Sequence, residues 1–276
     1  MKILITGGNG FIARNIKNSL ISSKPICLSR QELDLTNQEN VDSFFSDKNF
    51  DVVIHTATVG GSRLETDDKS WVNDNLIMYQ NLLRQRNKFT KLINLTSGAE
   101  LDRRFDINGE SPFDRFPVDP YGLSKNLISR MNFYNDNCYN IRIYNVFNHD
   151  ELPTRMIRNN ILNYISKNDL MIYKDRFMDF FHIDDFIKII NFYCNEKDLP
   201  KNIDCSYEIP TKLSDIAHMI NNLDTYKSKV IIENQIDNGK SYCGNPFLLK
   251  NLNLKLDGLE NSIKKTFIKI IDQVNV

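Results

Sequence analysis

A tyrosine and a lysine four residues apart, Tyr121 and Lys125, are a pair whose types and spacing could transfer a proton. They follow Asp119-Pro120, which is typical of a helix N-terminus because aspartate caps the first turn and proline fits the first helical position. On one helix, side chains four residues apart project from the same face. A lysine ammonium lowers the pKa of a neighbouring phenol, so Tyr121 could give or take a proton near neutral pH.

The spacing alone is not specific, because Tyr193 and Lys197 repeat it in what we interpret as a helix end. The difference is Ser97, which ends a predicted buried strand in the same half of the chain. Taken alone, Ser97-Gly98 would be an ordinary strand-to-loop turn, but a hydroxyl there could also hydrogen-bond a substrate carbonyl beside the tyrosine. Together with a glycine-rich turn near the N-terminus, this favours a catalytic set of Ser97, Tyr121 and Lys125.

That turn is Thr6-Gly7-Gly8-Asn9-Gly10, directly after the predicted first strand and at the start of a helix. Gly7 permits the tight turn, and Gly10 lets the backbone approach a pyrophosphate, while the helix N-terminus offers free N–H groups and a positive dipole end. An ordinary β–α turn is the alternative. The sequence predicts a dinucleotide site made of Gly7, Asn9, Gly10, Phe11 and Ile12.

The end of the second predicted strand indicates which dinucleotide binds. An acidic residue there would bind the ribose hydroxyls of NAD, whereas a basic residue accommodates the 2′-phosphate of NADP. The strand ends in Ser29-Arg30, and the first carboxylate is Glu32. Arg30 therefore favours NADP(H), unless it is only a solvated surface residue, and NAD remains possible. Asp34 and Leu35 follow in a position to flank the adenine.

Alternating strand and helix patterns in the first half predict an α/β fold, a Rossmann doubly wound parallel sheet with a smaller C-terminal substrate lobe. The predicted strands are Lys2–Thr6, Pro25–Ser29, Asp51–Thr56, Lys91–Ser97 and Tyr139–Asn145. The predicted helices between them are Phe11–Ser22, Gln38–Ser46, Trp71–Gln85 and Pro120–Tyr134.

The regularity weakens after about Asn148, where we predict the change of domain. Residues 1–148, completed by about 179–206, form the dinucleotide-binding domain, and residues 149–178 and 207–276 form the substrate-binding lobe. The second half has helical patterns at Thr154–Ser166, Asp184–Tyr193, Leu213–Asn222 and Leu259–Ile271, and a strand pattern at Leu170–Tyr173.

The composition argues against several other classes of protein. There are 35 basic and 35 acidic residues, so no net charge favours a nucleic acid or an anionic membrane as partner. The five cysteines are scattered without CxxC spacing, and the histidines lack partners at metal-ligand spacing, which indicates free thiols and no metal site. No apolar stretch reaches transmembrane or signal-peptide length. We therefore expect a cytoplasmic enzyme.

Together these motifs resemble the extended short-chain dehydrogenases/reductases, in the branch that modifies nucleotide sugars, the epimerase/dehydratase family. Further segments match that family in order along nearly the whole chain. They are Asp51–Ala57, Asn75–Leu83, Arg142–Phe147 and Asp179–Asp185.

The resemblance implies a role for each matched residue. Tyr121 is the general acid or base, Lys125 also binds the nicotinamide ribose, and Ser97 orients the oxygen that changes. Asn75 has a structural and proton-relay role, and Ala57 lies at a strand end that contacts the cofactor. For the nucleotide-diphosphate sugar substrate, it implies Asn145 and basic residues of the second lobe. Arg155 and Arg176 are candidates for these, with a solvated helix face as the alternative for Arg155. The resemblance also implies a homodimer through the helices that include Asn75 and Tyr121.

Departures from the family pattern reduce the number of reactions that the chain could catalyse. Dehydratases of the family carry an Asp-Glu pair after the hydroxyl residue, and Gly98-Ala99 here excludes that elimination. The segments 30–35 and 59–61 are similar to GDP-fucose synthases, a subgroup of 3,5-epimerases and 4-ketoreductases. That subgroup has Cys where this chain has Ala99, and a His that residues 152–157 lack, so 3,5-epimerisation is in doubt. Met178 replaces a family Arg, for which Arg176 could substitute.

The sequence therefore favours an NADPH-dependent reductase of a nucleotide-activated 4-keto-6-deoxy sugar, a hexose or heptose, for surface-polysaccharide sugar biosynthesis. The alternative is a nucleotide-sugar 4-epimerase with tightly bound NAD. A third reading is a catalytically retired dinucleotide-binding protein, against which Ser97, Tyr121 and Lys125 argue. The nucleotide, the sugar and the stereochemistry at the reduced carbon are not indicated.

Overall fold

Strands and helices alternate through the first half of the chain, as the sequence pattern predicts. The computed structural model describes residues 1–61, 66, 68–234 and 239–274. The strands are β1 (Ile3–Thr6), β2 (Ile26–Leu28), β3 (Phe50–His55), β4 (Phe89–Ser97), β5 (Ile107–Asn108), β6 (Cys138–Ile143), β7 (Val146–Phe147), β8 (Leu170–Lys174), β9 (Phe181–His182), β10 (Asn202–Asp204), β11 (Val230–Asn234) and β12 (Tyr242–Cys243). The helices are α1 (Phe11–Ser19), α2 (Gln38–Phe45), α3 (Ser70–Arg84), α4 (Pro120–Phe133), α5 (Met156–Ile165), α6 (Ile183–Asn195), α7 (Leu213–Asn221), α8 (Phe247–Asn251) and α9 (Leu259–Val274).

A six-stranded parallel sheet has the order β2-β1-β3-β4-β6-β10. This confirms the predicted α/β fold with a doubly wound parallel sheet. The chain leaves β1 on one side to form β2 and then crosses to the other side of β1 to form β3. In such sheets ligands bind outside the carboxyl ends of the strands where the order reverses, here the ends of β1 and β3.

The inner strands are apolar because helices cover both faces of a parallel sheet. Ile3, Leu4 and Ile5 of β1 are buried, as are Val53 and Ile54 of β3. The edge strand β10 was not singled out by the sequence pattern. It has only three residues, and Asn202 and Asp204 flank a single apolar Ile203, which gives no strand periodicity to detect.

Most element boundaries agree with the sequence prediction within a residue or two. The largest difference in the first half is α1, which ends at Ser19 rather than Ser22 because a 3₁₀ turn follows. Strand β11 was not predicted, and it pairs in parallel with β8. The two-residue strands are too short for a periodic signal.

The chain divides into two compact units. The first unit comprises residues 1–103, 110–143 and 189–204, and it contains the whole six-stranded sheet. The second unit comprises residues 104–109, 144–188 and 205–276. Its core is a cluster of buried apolar side chains from α5, α7 and α9 that includes Ile161, Ile216 and Ile263. Within the described ranges, no helix has the length and apolar content needed to cross a membrane.

Candidate active site

The glycine-rich turn joins the carboxyl ends of three neighbouring strands. Gly7 has φ +69°, and a β-carbon there would lie 2.8 Å from the backbone of Ala57, which follows β3. Gly8 N donates to Leu28 O of β2 at 2.8 Å, and a β-carbon on Gly8 would lie 3.0 Å from the Leu28 carbonyl carbon. A side chain at Gly7 would be strained by the backbone angle and would also clash with the backbone of Ala57, whereas one at Gly8 would only press on the backbone of Leu28.

Helix α1 begins directly after this turn, with Gly10 as its N-cap residue. Among the described residues, no side chain caps α1, and its first turn contains no acidic residue. Its first N–H groups and its partial positive charge can therefore serve an anion. Asn9 and Gly10 are exposed, and Phe11 and Ile12 are half-buried. A cradle without side chains at a helix N-terminus fits the pyrophosphate of a dinucleotide.

At the end of β2, the first carboxylate is turned back onto the chain. Glu32 Oε2 accepts hydrogen bonds from Ser29 N at 2.8 Å and from Ser29 Oγ at 2.7 Å, and these bonds lower the pKa of Glu32. The Arg30 side chain is 65% exposed, with Nε 3.6 Å from Asp34 Oδ2. Leu35 lies in the core of the first unit. The strand end therefore presents a guanidinium to solvent.

Ser97 ends β4 and is the N-cap residue of the short turn Gly98–Glu100. Its Oγ accepts a hydrogen bond from Ala99 N at 3.2 Å, and the side chain is mostly buried. A hydroxyl oxygen that accepts in this way can still donate its own hydrogen to a substrate oxygen.

Helix α4 presents Tyr121 and Lys125 on one face, as their spacing predicts. Asp119 Oδ1 accepts from Gly122 N at 2.7 Å, which is the predicted cap, and Pro120 is in the first turn. Lys125 Nζ lies 5.7 Å from the Tyr121 ring centroid and donates to Leu95 O of β4 at 2.9 Å. Lys125 is buried, and burial lowers its pKa to about 8.

The first turn of α4 packs closely on the turn that follows Ser97. A β-carbon on Gly122 would lie 2.3 Å from Ala99 O, so this contact needs a glycine. Because Tyr121 precedes Gly122 and Ser97 opens the turn that contains Ala99, this approach brings the two segments with the predicted catalytic residues together in the first unit.

Gly61 contacts the tyrosine directly, and the sequence did not predict this. It has φ +75°, and a β-carbon on it would lie 2.8 Å from Tyr121 Cζ. The backbone at Gly61 therefore packs against the phenol ring. The signal in the sequence is the glycine pair Gly60-Gly61, and both residues have positive φ in the structure.

Asn75 of α3 joins the loop after β3 to α4. Its Nδ2 donates to Val59 O at 3.0 Å and to Ser124 Oγ at 3.1 Å, and its Oδ1 accepts from Val59 N at 2.9 Å. The side chain is buried, and Ser124 is next to Lys125. Asn75 thus fixes the helix that presents the Tyr–Lys pair.

The predicted substrate residues all lie in the second unit. Asn145 Nδ2 donates to Asp179 O at 2.8 Å beside the β7–β9 pair. Arg155 directly precedes α5, with Nε 3.5 Å from Glu151 Oε2 and a partly exposed side chain. Arg176 Nη1 donates to Lys240 O at 3.4 Å. The predicted catalytic and cofactor residues are all in the first unit.

Solved structures with this fold include several enzymes of sugar nucleotides. A GDP-L-fucose synthetase from Naegleria fowleri bound to NADP is 17% identical, with TM-score 0.80 over 100% of this chain and 94% of that chain. A GDP-mannoheptose C4 reductase from Campylobacter jejuni with NADP bound is 18% identical, with TM-score 0.76 over 100% and 98%. A UDP-glucose 4-epimerase from Thermotoga maritima with UDP-glucose is 18% identical, with TM-score 0.80 over 100% of both chains.

Among curated protein sequences, none matches this chain significantly. The model of the NAD dependent epimerase/dehydratase family, by contrast, matches residues 3–206, which is well over half of the chain. That range includes the glycine turn, Ser97, Tyr121 and Lys125. The chain belongs to the NAD dependent epimerase/dehydratase family and is an enzyme that uses a nicotinamide dinucleotide.

Proposed function

We propose that this protein is an NADPH-dependent reductase of a nucleotide-activated 4-keto-6-deoxy sugar, a hexose or heptose, that serves surface-polysaccharide synthesis. The observation that carries the proposal is the end of β2. Arg30 is exposed there, and the carboxylate of Glu32 is engaged by Ser29 rather than directed at a ribose. A net reductase draws on the NADPH pool, whereas an epimerase recycles one bound NAD.

The residues of the first unit can perform the proton transfer that such a reduction needs. The dinucleotide, when bound, supplies the hydride. Tyr121 donates a proton to the sugar oxygen, Ser97 hydrogen-bonds the same oxygen, and Lys125 stabilises the phenolate left on Tyr121. Arg30, Asp34 and the glycine turn hold the dinucleotide, and Asn145, Arg155 and Arg176 of the second unit hold the nucleotide diphosphate of the substrate.

Elimination is not supported by the residues beside Ser97. Gly98 and Ala99 have no acidic side chain, and the carboxylate that follows them, Glu100, is buried and accepts from Arg142 Nε at 2.6 Å. A buried carboxylate whose oxygens already accept hydrogen bonds from protein groups is poorly placed to take a proton from a substrate. Reduction without dehydration is therefore the reaction we propose.

The structural neighbours support both the proposal and its alternative. The Campylobacter jejuni protein is a C4 reductase with NADP bound, and the Thermotoga maritima protein is a 4-epimerase of comparable similarity. The two reactions share proton transfer at the sugar oxygen and differ in whether the hydride returns to the substrate. The cofactor consumed distinguishes them.

The test is a panel of 4-keto-6-deoxy sugars linked to GDP, dTDP, CDP or UDP, assayed for loss of NADPH absorbance. We expect oxidation of NADPH with one nucleotide clearly preferred, and much slower oxidation of NADH. NAD co-purifying with the protein, with no NADPH consumption on any keto sugar, would identify the 4-epimerase instead. Tight dinucleotide binding without turnover in either direction would identify a retired binding protein.

We also propose that the enzyme is a homodimer through α3 and α4. These helices form a groove of about 320 Å³ lined by Leu76, Gln80, Leu127, Arg130, Met131 and Tyr134. Tyr134, which lines this groove, is 77% exposed and offers apolar surface to a partner. Light scattering should give twice the chain mass for the wild type and for Tyr173→Glu, which changes an exposed tyrosine of the second unit, but the single mass for Leu127→Glu.

A further inference from the structure

Glu100, at the end of the turn that begins with Ser97, is a buried carboxylate with several partners. It is 1% exposed, and Oε1 accepts from Arg142 Nε at 2.6 Å. Oε2 accepts from the hydroxyls of Thr96 and Ser129. A buried charge is tolerated only when it is paired and hydrogen-bonded, and Glu100 meets both conditions.

The partners of Glu100 lie on the two elements that carry the catalytic residues. Thr96 directly precedes Ser97 on β4, and Ser129 is one helical turn beyond Lys125 on α4. The backbone of Glu100 joins the same helix, because Asn126 Nδ2 donates to Glu100 O at 2.8 Å. Side chain and backbone of this residue therefore both link the end of β4 to α4.

We propose that Glu100 is a positioning residue, whose carboxylate holds the end of β4 against α4 and balances the buried positive charge of Lys125. Ser97, Tyr121 and Lys125 then keep their arrangement. The inference rests on the proposed function only in taking Lys125 as the partner of Tyr121.

The surroundings of Lys125 explain why it needs a nearby negative charge. Burial lowers the pKa of Lys125 to about 8, and the charge of Glu100 opposes that decrease. Among the described residues, Tyr121 on the same helix and His55 on β3 also lie near Lys125. Burial lowers the pKa of His55 to about 3, so that His55 is neutral. Arg142 faces Glu100 from β6, with Nε 2.6 Å from Glu100 Oε1.

The chain offers a matched control for a purely structural ion pair. Asp204 on β10 is also buried, and its Oδ1 accepts from Arg142 Nη1 at 2.9 Å. Replacing Asp204 by Asn removes a buried carboxylate from the same guanidinium and leaves the bonds from Thr96 and Ser129 to Glu100 in place. A role limited to neutralising Arg142 would give the same result for both carboxylates.

The experiment compares Glu100→Gln and Asp204→Asn with the wild type in the full chain. With ¹³C-labelled lysine, the ¹³Cε shift of Lys125, assigned by its absence in Lys125→Arg, is followed against pH. We expect the pKa of Lys125 to fall by about one unit in Glu100→Gln, the lower end of what a nearby opposite charge produces, and to stay at the wild-type value in Asp204→Asn.

The second measurement is the pH profile of kcat/KM with NADPH and the best keto sugar from the panel. In Glu100→Gln we expect the alkaline limb of the profile to move to lower pH by the same amount as the pKa of Lys125. We also expect kcat to fall about tenfold at nearly constant KM, because displacing a catalytic group lowers the reaction rate more than it weakens substrate binding. Asp204→Asn should keep the wild-type limb. The conservative Glu100→Asp, which keeps a carboxylate, should return the alkaline limb part of the way to its wild-type position.

Equal titration of Lys125 in Glu100→Gln and the wild type, or equal shifts in Glu100→Gln and Asp204→Asn, would overturn the proposal. The lysine titration needs no turnover, so a wild type without reductase activity counts against the proposed function and not against this inference. Should Glu100→Gln not fold, Ser129→Ala removes one donor from the carboxylate. A kcat about tenfold lower then supports the role, and an unchanged kcat contradicts it.

Discussion

Lys125 is buried although the role that we propose for it requires a positive charge. The carbonyl of Leu95 and the nearby Glu100 offset only part of the hydration that Lys125 loses, because burial still lowers its pKa to about 8. The pairing of Tyr121 with Lys125 was predictable because two residues on one helix have a fixed spatial relation. The contributions of Glu100 and Gly61 were not, because they depend on contacts between segments distant in sequence.

Replacing Tyr121 by Phe should abolish reduction while leaving NADPH binding nearly intact. The phenylalanine keeps the ring that packs on Gly61 but has no proton to donate, and the loss of a general acid costs about 10²–10⁴-fold in rate. Turnover assays measure the rate of reduction, and fluorescence titration measures the binding of NADPH. Turnover at the wild-type rate in Tyr121→Phe would refute the role assigned to the hydroxyl.

Replacing Arg30 by Gln should weaken the binding of NADPH and leave the binding of NADH nearly unchanged. A guanidinium bound to a phosphate contributes about 1.5–3 kcal/mol, so we expect the Kd for NADPH to rise about tenfold or more while the Kd for NADH changes little. Fluorescence titration of both dinucleotides measures this. Arg84→Gln, on the exposed surface of α3, is the control for loss of a positive charge. An unchanged NADPH/NADH preference would show that Arg30 is only a surface residue.

Helix α4 is the element on which the site depends most. Its start was predictable, because Asp119 and Pro120 give a clear capping signal and the structure has the expected cap. Its close packing against the turn after Ser97 was not, because the contact of Gly122 with Ala99 joins segments that are distant in sequence. Glycine is an unfavourable residue within a helix, but Gly122 is required here because only glycine leaves room for the backbone of Ala99.

Gly122→Ala tests that contact. In most helix interiors this change stabilises by roughly 1 kcal/mol. Here the added carbon would lie 2.3 Å from Ala99 O, so we expect destabilisation of about 1–3 kcal/mol, as for overpacking, together with a lower kcat. Urea unfolding monitored by circular dichroism gives the free energy. A variant as stable as the wild type would show that the helix can move away without cost.

At the scale of the whole molecule, the sequence predicted the parallel sheet and the change of regularity near residue 148, but not every strand. Long apolar strands and capped helices carry their own signal, and β10 does not, because its place at the sheet edge depends on pairing with β6. The assignment of the dinucleotide to residues 1–148 with 179–206, and of the substrate to 149–178 and 207–276, stays a proposal.

Buried histidine makes the stability of the protein depend on pH. His55 is fully buried beside Thr6, and burial lowers its pKa to about 3, whereas the unfolded chain binds this proton near pH 6.5. The contribution of neutral His55 to the free energy of unfolding is therefore complete above pH 6.5. It is lost as pH falls towards 3, by about 1.4 kcal/mol per pH unit.

Chemical unfolding between pH 7 and pH 4 should show that decrease in the wild type. His55→Gln should be less stable at pH 7, because a packed side chain is lost, and should show a smaller decrease with acid. The control is His218→Gln, at an exposed position of α7, which should keep the wild-type slope. An unchanged slope in His55→Gln would assign the acid sensitivity to other groups.

The first unit is assembled from three separated stretches of the chain, and this has a consequence for synthesis on the ribosome. Asp204 follows its partner Arg142 by 62 residues. At a synthesis rate of about 5–20 residues per second, roughly 3–12 seconds pass between the synthesis of Arg142 and that of Asp204. During that time β6 is an open sheet edge, which can pair with other chains. Translation that stops between residues 144 and 201 should therefore give products that aggregate or are degraded.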